Sequence, residues 1–455
     1  MKNQVYWKFG KILQRDGWSD EQFITTDSTG VITNISKRLE CDVDHKVNGM
    51  LIPGFQNAHS HSFQYAMAGL AECIGQGKEH DDFWSWRESM YHLALKINPE
   101  QLQVLATQLY SEMLDHGITQ VAEFHYLHHD KDGKQFQNLA EMGERLIAAA
   151  SAVGMGITLI PIFYSKGGFG RGPGPEQRRF ICATVNDYKK LCEVSQLSCA
   201  HYKRAKLGLG VHSLRAASED QIRDIVDMNT DGRPIHLHIA EQQKEVTDCL
   251  EYYSKRPVRW LIDNFDVNSN FHLVHATHMD TSEVNQLAAT GAGVVLCPST
   301  EGNLGDGLFP LKTFAEAGGS YSIGSDSHIG LSPLEELRWL DYGQRLIEKK
   351  RNILCRDQGL ESGELLFHQT YKTGTRAMGK TGTENYFEVG SELTGVVIKD
   401  ELPLLQATSS KKILSTLIYS YGKEALKGTL VAGAWHNSVE TAAFKNLLGE
   451  LKNRF

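Results

Sequence analysis

The sequence predicts an α/β protein, a (β/α)8 TIM-like barrel with a small β-sandwich domain built from both chain ends. Three observations support this prediction. The N-terminal region contains short β segments, strand-like and amphipathic helical segments alternate in the central region, and short β segments appear again in the C-terminal region. The predicted domain ranges are 1–52 and 381–455 for the two parts of the β domain and 53–380 for the barrel.

The N-terminal segment contains no helix-length periodic run and reads as short strands. The clearest are Val5–Trp7, Phe23–Asp27 and Gly30–Ile35, the last two separated by a turn rich in Asp, Ser and Gly. These strands are expected to form the first part of the β domain.

Eight further strands are predicted, and each is followed by a polar or helical segment. They are Leu51–Asn57, Ile118–Phe124, Ile157–Phe163, Leu207–His212, Pro234–Ile239, Phe271–His275, Gly293–Cys297 and Tyr321–Gly324. The amphipathic stretches between them are Pro99–Leu114, Leu139–Ala152, Glu219–Asn229, Glu245–Phe265, Ser282–Thr290 and Leu311–Ala317. In such a barrel the chemistry lies at the C-terminal ends of the strands. A doubly wound open sheet is the alternative, although no Gly-rich nucleotide fingerprint follows the first strand.

The C-terminal region begins with a helical segment at 333–379, which is followed by short predicted strands. Phe387–Ser391, Leu393–Ile398 and Gly428–Ala432 are predicted strands, and Ser438–Leu451 is a predicted terminal helix. This region is expected to complete the β domain.

Composition excludes several classes of function. The chain has 455 residues with 41% hydrophobic and 22% charged residues, which is typical of a soluble globular protein. Its net charge of −8 argues against a general affinity for nucleic acid or anionic membranes. No apolar run approaches the roughly 20 residues that cross a bilayer, and the N-terminus lacks the apolar core of a signal peptide. The eight cysteines form no Cys-x-x-Cys pair, so we expect reduced thiols and a cytoplasmic location.

A Gly/Pro-rich run at 166–175 follows the third predicted barrel strand. It lacks the Gly-Lys-Ser/Thr ending of a phosphate-binding loop. A mobile loop over the barrel mouth is the favoured interpretation.

Histidines at the first barrel strand are the first chemical signal. His59 and His61 are two residues apart on an extended segment, so their side chains point the same way and could form half of a metal site. Alone, this pair is a weak signal, and ordinary surface or hydrogen-bonded histidines are the favoured interpretation of it. Further polar groups follow other strands: His236, His238 and Glu241 on the fifth, His275 on the sixth.

The eighth strand ends in Gly-Ser-Asp-Ser-His, from Gly324 to His328. Each of these groups could be structural, because buried histidines are often hydrogen-bonded and aspartates often cap helices. Four sets at the ends of separate strands favour a metal-dependent hydrolase.

These motifs together resemble the amidohydrolase superfamily in its mononuclear deaminase branch. The resemblance spans nearly the whole chain, and it narrows in the segments 61–72, 123–128, 210–215, 300–307, 324–328 and 335–339. Those segments resemble the members that hydrolyse a linear dicarboxylate amidine, N-formimino-L-glutamate, to N-formyl-L-glutamate and ammonia.

The resemblance implies one divalent metal ion, with zinc as the expectation, on His59, His61, His238 and Asp326. The strand-four lysine of dinuclear relatives is not evident, because this strand ends in His212. The ligand set also suits iron or another divalent ion.

Three catalytic residues are expected. Asp326 would accept the proton of the attacking water, His275 would orient that water and support the developing charge, and Glu241 would protonate the departing nitrogen. His236, His272 and His278 are interpreted as structural, and His328 as either a support for the metal site or a loop residue.

The resemblance points to Gln64, Tyr126, His212 and Arg215 as substrate contacts, and Arg87, on the loop after the first barrel strand, is a further candidate. Two substrate carboxylates call for guanidinium and hydroxyl donors. A surface salt bridge is the alternative for each arginine.

The expected partner is therefore a small-molecule dicarboxylate amidine substrate, with no nucleic acid and no membrane, and relatives suggest a homodimer. Two alternatives remain. One is a deaminase of a cyclic amidine such as a nucleobase, which needs a mostly neutral, aromatic pocket. The other is a metal-free barrel kept as an assembly or binding protein.

Overall fold

The computed structural model describes residues 4–74, 81–355, 361–382, 385–439 and 442–452. The strands of these segments are β1 (Gln4–Gln14), β2 (Gly17–Asp27), β3 (Ile32–Ser36), β4 (His45–Pro53), β5 (Phe55–Ser60), β6 (Ile118–His125), β7 (Gly156–Phe163), β8 (Ala205–Leu207), β9 (Leu209–Ser213), β10 (Ile235–Ile239), β11 (Phe271–His275), β12 (Gly293–Leu296), β13 (Ser320–Ile323), β14 (Gly395–Ile398), β15 (Leu426–Val431) and β16 (Ala434–Trp435).

The α-helices are α1 (Phe83–Ala94), α2 (Pro99–Asp115), α3 (Glu141–Val153), α4 (Val185–Cys199), α5 (Glu219–Asp227), α6 (Gln243–Tyr253), α7 (Pro257–Asn264), α8 (Thr281–Thr290), α9 (Pro298–Leu304), α10 (Leu311–Glu316), α11 (Pro333–Glu348), α12 (Ser362–Ala377), α13 (Pro403–Gln406), α14 (Ile413–Ser420) and α15 (Ala442–Lys452). Within the described segments, no helix is both long and apolar enough to cross a bilayer.

A parallel barrel forms the centre of the molecule. Its strands follow the order β5-β6-β7-β9-β10-β11-β12-β13, with β8 paired to β7. The barrel nearly closes where Ser60 forms a parallel bridge with Asp326, and the Asp326 amide donates to the His59 carbonyl at 3.0 Å. Sequential order without reversal excludes the doubly wound sheet, so the barrel prediction is confirmed.

Continuous burial explains why the barrel strands read as apolar runs. Every residue of β6 and β7 is buried, as expected for strands covered on both faces. The surrounding helices have ordinary end signals: α2 starts with Asn98 as N-cap, Pro99 at its first position and a reciprocal capping box with Gln101. These features fix where each strand ends and therefore where its functional side chain lies.

The second sheet draws strands from both chain ends. Its order is β16-β15-β14-β4-β1-β2-β3, in which β1 and β4 are parallel and the other pairs are antiparallel. Its fully buried side chains include Trp7, Phe9 and Ile24. The N-terminal and C-terminal β segments thus share one hydrogen-bonded sheet.

The prediction of one strand at Leu51–Asn57 is wrong, because this stretch spans two sheets. Residues through Pro53 belong to β4 of the terminal sheet, and the barrel begins with β5 at Phe55. Gly54 is the single residue between them, and a Cβ there would lie 2.1 Å from the Oγ1 atom of Thr119. The sharp change of partner sheet therefore requires glycine.

Other predicted segments also differ from the structure. The long stretch 245–265 is two helices, α6 and α7, because Pro257 starts a new helix after a left-handed Ser254. The stretch 207–212 divides into β8 and β9, and 387–391 is not a strand. Helices α1, α4, α9, α13 and α14 were not predicted, and residues 440–441 of the predicted terminal helix lie outside the described segments.

Helix α12 covers the floor of the barrel with its C-terminal end. The carbonyl of Ala377 accepts from Nε2 of His236 at 3.0 Å, and the carbonyl of Met378 accepts from the hydroxyl of Thr158 at 3.0 Å. Both side chains thereby satisfy free helix-terminal carbonyls. This contact supports the interpretation of His236 as a structural residue.

Candidate active site

Three imidazoles converge at the C-terminal mouth of the barrel. Nε2 of His59 lies 3.1 Å from Nε2 of His61 and 3.1 Å from Nε2 of His238, and all three rings are buried. The first two follow from the alternation of side chains along β5, and the third comes from β10 on the facing wall.

The outer ring nitrogens determine what this cluster can bind. Nδ1 of His61 lies 2.9 Å from the carbonyl of Phe124, and Nδ1 of His238 lies 2.9 Å from the carbonyl of His212. A carbonyl only accepts, so each Nδ1 carries the hydrogen and each Nε2 presents a lone pair. His59 Nε2 can donate to only one of these lone pairs. A cation at the point of convergence would satisfy all three nitrogens, so the donor set fits a divalent metal ion.

Asp326 completes this cluster from the end of β13. Its Oδ1 lies 3.4 Å from Nε2 of His59 and 3.3 Å from Nε2 of His61. Burial alone would raise its pKa, but the hydrogen bond to His59 and the nearby imidazoles hold the pKa well below the ordinary carboxyl value. The carboxylate is therefore ionised at neutral pH and can serve as a ligand or as a base.

His275 lies beside the imidazole cluster and Asp326, and its outer ring nitrogen contacts the carboxylate of Glu301. Its Nδ1 lies 3.2 Å from Oε1 of Glu301, and its Nε2 faces Asp326 and Glu241, each at 3.7 Å. Burial lowers the pKa of His275, but the charges of Glu241, Glu301 and Asp326 outweigh it and raise the pKa to about 10. In the absence of a cation, this imidazole is therefore protonated and points a donor into the mouth.

Cys297 also lies within 4.8 Å of the ligand atoms of His275 and Glu301. Burial raises the pKa of its thiol well above the ordinary value, so the sulfur stays protonated. The backbone amide of Cys297 donates to Glu301 at 2.9 Å. We therefore interpret this second cluster as the hydrogen-bond support of His275.

Glu241 lies just beyond β10 with its carboxylate between His275 and an arginine. Its Oε2 is 3.6 Å from Nη2 of Arg215, whose guanidinium also lies 3.8 Å from Glu245. Burial and the neighbouring carboxylates raise the pKa of Glu241, and His275 and Arg215 oppose that rise. A carboxyl group with a raised pKa is suited to carry a proton to a substrate.

The backbone is strained where these side chains emerge. His275 has a φ of 68°, Asp326 of 45° and Ala240, next to Glu241, of 49°. Non-glycine residues in the left-handed region cost roughly 1–3 kcal/mol each and cluster at functional sites. Three such residues around one mouth mark it as the functional end of the barrel.

Glu123, on β6, holds the segment that carries the two histidines of β5. Its carboxylate accepts from the hydroxyl of Ser60 at 2.7 Å, from the backbone amide of Ser62 at 2.7 Å and from the hydroxyl of Tyr110 at 3.0 Å. Sequence analysis assigned no role to Glu123 or to Glu301. Both lie within segments that carried the family resemblance, but only their contacts reveal what they support.

One cavity brings the predicted substrate contacts to the catalytic group. Its lining includes all five, which are Gln64, Arg87, Tyr126, His212 and Arg215, together with five of the predicted metal and catalytic residues, which are His61, His238, Glu241, His275 and Asp326. His59 lies behind this lining and is fully buried. The cavity is narrow, about 50 Å³, and it meets an outer vestibule of about 290 Å³ at Arg87 and Arg215. Gly167, Gly168 and Arg171 of the Gly-rich run line that vestibule, at the barrel mouth.

Aromatic residues fix the two arginines. Arg87 lies on α1 and not on a loop, and its guanidinium is 4.4 Å from the ring centre of Trp84 and 5.5 Å from that of Tyr91. Arg215 is largely buried, and its Nε has no partner among the described residues. The acids near Arg215 are the buried Glu241 and Glu245, and no salt bridge of Arg87 is present among the described residues, so the surface salt bridge considered as the alternative is not found in this part of the chain. Sequence analysis missed the aromatic residues because no motif marks them.

The structure also shows the contacts of Gln64 and of two further histidines, His328 and His272. Gln64 donates to the hydroxyl of Tyr126 at 3.0 Å, which leaves its buried Oε1 without a partner among the described residues. His328 lies behind the imidazole cluster, 2.9 Å from the hydroxyl of Ser325 and 3.3 Å from that of Ser60. His272 is buried and stacks on His236 on the barrel floor, away from the mouth.

The chain matches the model of the Amidohydrolase family over residues 50–425. It is also 42% identical to formimidoylglutamate deiminase of Pseudomonas aeruginosa over 97% of this chain and 98% of that protein. The chain belongs to the amidohydrolase family. A more distant family relative, a 5-methylthioadenosine/S-adenosylhomocysteine deaminase of Haloarcula marismortui, is 25% identical over 72% of this chain and 71% of that protein.

Solved structures of amidohydrolases have the same fold. An amidohydrolase from Brucella melitensis superimposes with a TM-score of 0.89 at 38% identity, covering 98% of this chain and 99% of that one. A zinc-bound adenosine deaminase from Xanthomonas campestris gives a TM-score of 0.81 at 19% identity, covering 99% of this chain and 98% of that one. At this low identity, the similarity to the adenosine deaminase shows only a shared fold.

Metal removal should test the imidazole cluster directly. We expect dialysis against a chelator to remove one divalent ion per chain and to lower both activity and the melting temperature, because an ion that binds only the folded state stabilises it. At a thousandfold excess over Kd, restored zinc should contribute about 4 kcal/mol to the free energy of unfolding. Metal analysis and thermal melts measure the two effects. A fully loaded H238A protein would contradict the ligand assignment.

Proposed function

We propose that this chain is a metal-dependent deiminase that hydrolyses N-formimino-L-glutamate to N-formyl-L-glutamate and ammonia. The observation that carries the proposal is the pairing, in one cavity, of a hydrolytic cluster with two arginines that can hold a dicarboxylate. The 42% identity to a formimidoylglutamate deiminase over nearly the whole of both chains supports it. Such a reaction is a step of histidine breakdown.

One divalent ion, which we propose to be zinc, would be held by His59, His61, His238 and Asp326. When bound, it supplies Lewis-acid chemistry that lowers the pKa of water toward neutrality. The supporting observation is that Nε2 of His61 and Nε2 of His238 each present a lone pair toward Nε2 of His59, at 3.1 Å in both cases, and that His59 can donate to at most one of them.

The chain's own residues then account for the proton transfers. Asp326, ionised and buried, accepts a proton from the attacking water, whose oxygen bonds to the formimino carbon. His275 donates a hydrogen bond toward the developing negative charge, since Glu301 holds its Nδ1. Glu241 protonates the terminal nitrogen, which gives a tetrahedral carbon that carries a hydroxyl and an amino group. Asp326 then passes its proton to the amino nitrogen, the hydroxyl proton returns to Glu241, the bond from carbon to that nitrogen breaks, and ammonia leaves. Water thus supplies the oxygen of the formyl group and the two hydrogens gained by the departing nitrogen.

Substrate selection rests on the far side of the same cavity. We propose that Arg215 and Arg87 hold the two carboxylates, and that Tyr126, Gln64 and His212 supply further polar contacts. Burial together with the positive charge of Arg215 holds the pKa of His212 well below its ordinary value, so this imidazole is neutral. Two guanidinium groups would disfavour a neutral nucleobase in this cavity.

The R215M substitution should impair substrate binding more than turnover. Loss of one charged hydrogen-bond pair costs about 2 kcal/mol, which corresponds to roughly a 30-fold rise in KM. Steady-state kinetics of the variant give this number. R223M removes an exposed arginine from α5 and serves as the matched control, with kinetics close to the parent protein. An unchanged KM in R215M would exclude this residue from the substrate site.

The reaction itself is tested by ammonia release. We expect rapid release from N-formimino-L-glutamate, slower release from its aspartate analogue because the shorter chain misplaces one carboxylate, and none from free nucleobases. Preference for a nucleobase would refute the proposed function.

The finer organisation is also a proposal. The terminal sheet, from 1–52 and 381–455, would form a small β-sandwich domain beside the barrel at 53–380.

We propose a homodimer, supported by the exposed apolar residues Trp339, Tyr342 and Leu346 on α11. Light scattering measures the mass. All eight cysteines are free thiols, which supports a cytoplasmic location.

A further inference from the structure

A second cavity lies at the opposite end of the barrel from the candidate active site. Its volume is about 310 Å³, within the range of small-ligand sites. Gln56, Thr119 and Gln120 line it from the N-terminal ends of β5 and β6, and Ser391 and Thr394 line it from the segment before β14. The cavity therefore lies between the floor of the barrel and the terminal sheet.

The lining of this cavity is strongly cationic. Five of its described residues carry a positive charge and one carries a negative charge, in a chain whose net charge is −8; the cations are Arg15, Lys203, Arg204, Lys206 and Lys380. The single acid, Glu392, is already paired with Lys203 at 2.8 Å and with Arg204 at 3.1 Å. The other three cations therefore face the cavity without a carboxylate among the described lining residues.

The contacts of the two remaining lysines are to neutral oxygen atoms. Nζ of Lys206 donates to the carbonyl of Gly379 at 2.7 Å, and Nζ of Lys380 donates to Oε1 of Gln120 at 2.9 Å. Desolvation and the positive charges of Arg204 and Lys206 lower the pKa of Lys380 to about 8. This crowding of positive charge is what a bound anion would relieve.

Gln120 provides an independent sign of a missing acceptor. Its side chain is 3% exposed, and its Nε2 has no hydrogen-bond partner among the described residues. The orientation of the amide is fixed, because Lys380 can donate only to the oxygen. Gly156 leaves room for this side chain, since a Cβ there would lie 2.0 Å from Oε1 of Gln120. A buried amide N–H of this kind calls for an acceptor in the cavity.

We propose that this cleft is a binding site for a small oxyanion bearing at least two negative charges. Lys380, Lys206 and Arg15 would supply the charge, and the Nε2 of Gln120 would donate the hydrogen bond that orients the anion. Arg15 is held against the ring of Tyr386, with its guanidinium 5.8 Å from the ring centre, so its position is restricted. Phosphoryl and carboxylate anions share this chemistry. The ligand would connect the barrel floor with the terminal sheet, remote from the residues proposed for catalysis.

Calorimetric titration with two probes, inorganic pyrophosphate and citrate, tests the proposal and distinguishes the two sources of the anion. We expect saturable binding of at least one probe that weakens as the ionic strength rises. It should be accompanied by a higher melting temperature, because the anion binds the folded state. The R215M protein should bind equally well, which separates this site from the active-site arginines.

Two substitutions locate the binding. K380Q removes one positive charge from the lining, and Q120E replaces the N–H donor by an acceptor of the same shape, so each should raise Kd at least tenfold with little change in catalytic turnover. K372Q, an exposed lysine of α12 outside the lining, is the matched control and should change Kd less than twofold. Melting curves without the anion verify that each variant is folded. Absence of binding to the parent protein, or binding that K380Q and Q120E leave unchanged, would overturn the proposal.

Discussion

The D326N protein is expected to lose turnover by about 10²–10⁴-fold, the scale of a lost general base. Asp326 is the buried carboxylate closest to the imidazole cluster, and its pKa lies well below the ordinary value, so it is ionised at the pH of the assay. Asparagine keeps the shape but cannot accept a proton. The measurement is kcat for ammonia release, together with metal analysis, because the same side chain is also a proposed ligand.

D306N is the matched control for this change. Asp306 is buried in the same group of acids, and burial together with the charge of Glu241 raises its pKa to about 9. It is thus protonated at neutral pH, so asparagine replaces a neutral group. We expect D306N to change kcat only a few-fold. Near-normal turnover of a metal-loaded D326N protein would refute the role of Asp326 as proton acceptor.

The E241Q protein should lose about 10²–10⁴-fold in kcat, with a much smaller change in KM. Glu241 is placed between His275 and Arg215, and glutamine removes its proton without removing its volume. The loss should be accompanied by disappearance of the limb of the pH–kcat profile that reports the acid. Metal content and melting temperature should stay close to those of the parent protein.

E245Q distinguishes this chemical role from a simple electrostatic one. Glu245 is also buried and also lies near Arg215, at 3.8 Å, but it makes no contact with His275 among those described. We expect E245Q to lower kcat less than tenfold. Equal losses in E241Q and E245Q would show that only the charge around Arg215 matters.

The alternating strand and helix pattern predicted the barrel because buried parallel strands are continuous apolar runs. The same logic failed at 51–57, where one apolar run crosses from β4 to β5, because hydrophobicity does not distinguish two sheets that share a chain. Proline marked the break within 245–265, but the amphipathic period on both sides obscured it. Helix α4 has only a weak apolar face, which explains why it was not predicted.

The site was predictable to the extent that each group follows its own strand end. Parallel strands bring their C-terminal ends to one rim, so His59, His238, His275 and Asp326 meet although they are far apart in the chain. The supports of these groups were not predictable. Glu301 reaches His275 from α9, and its role depends on a contact 3.2 Å long that no spacing rule encodes.

The junction at Gly54 has a mechanical consequence for the imidazole cluster. Strand β4 of the terminal sheet and strand β5, which carries His59, are joined by one residue, and Thr119 fills the space beside it. A rotation of the terminal sheet would therefore displace β5 directly, because no flexible linker separates the two strands. We expect that insertion of residues at this junction would weaken the binding of the proposed metal ion, although the insertion lies outside the site.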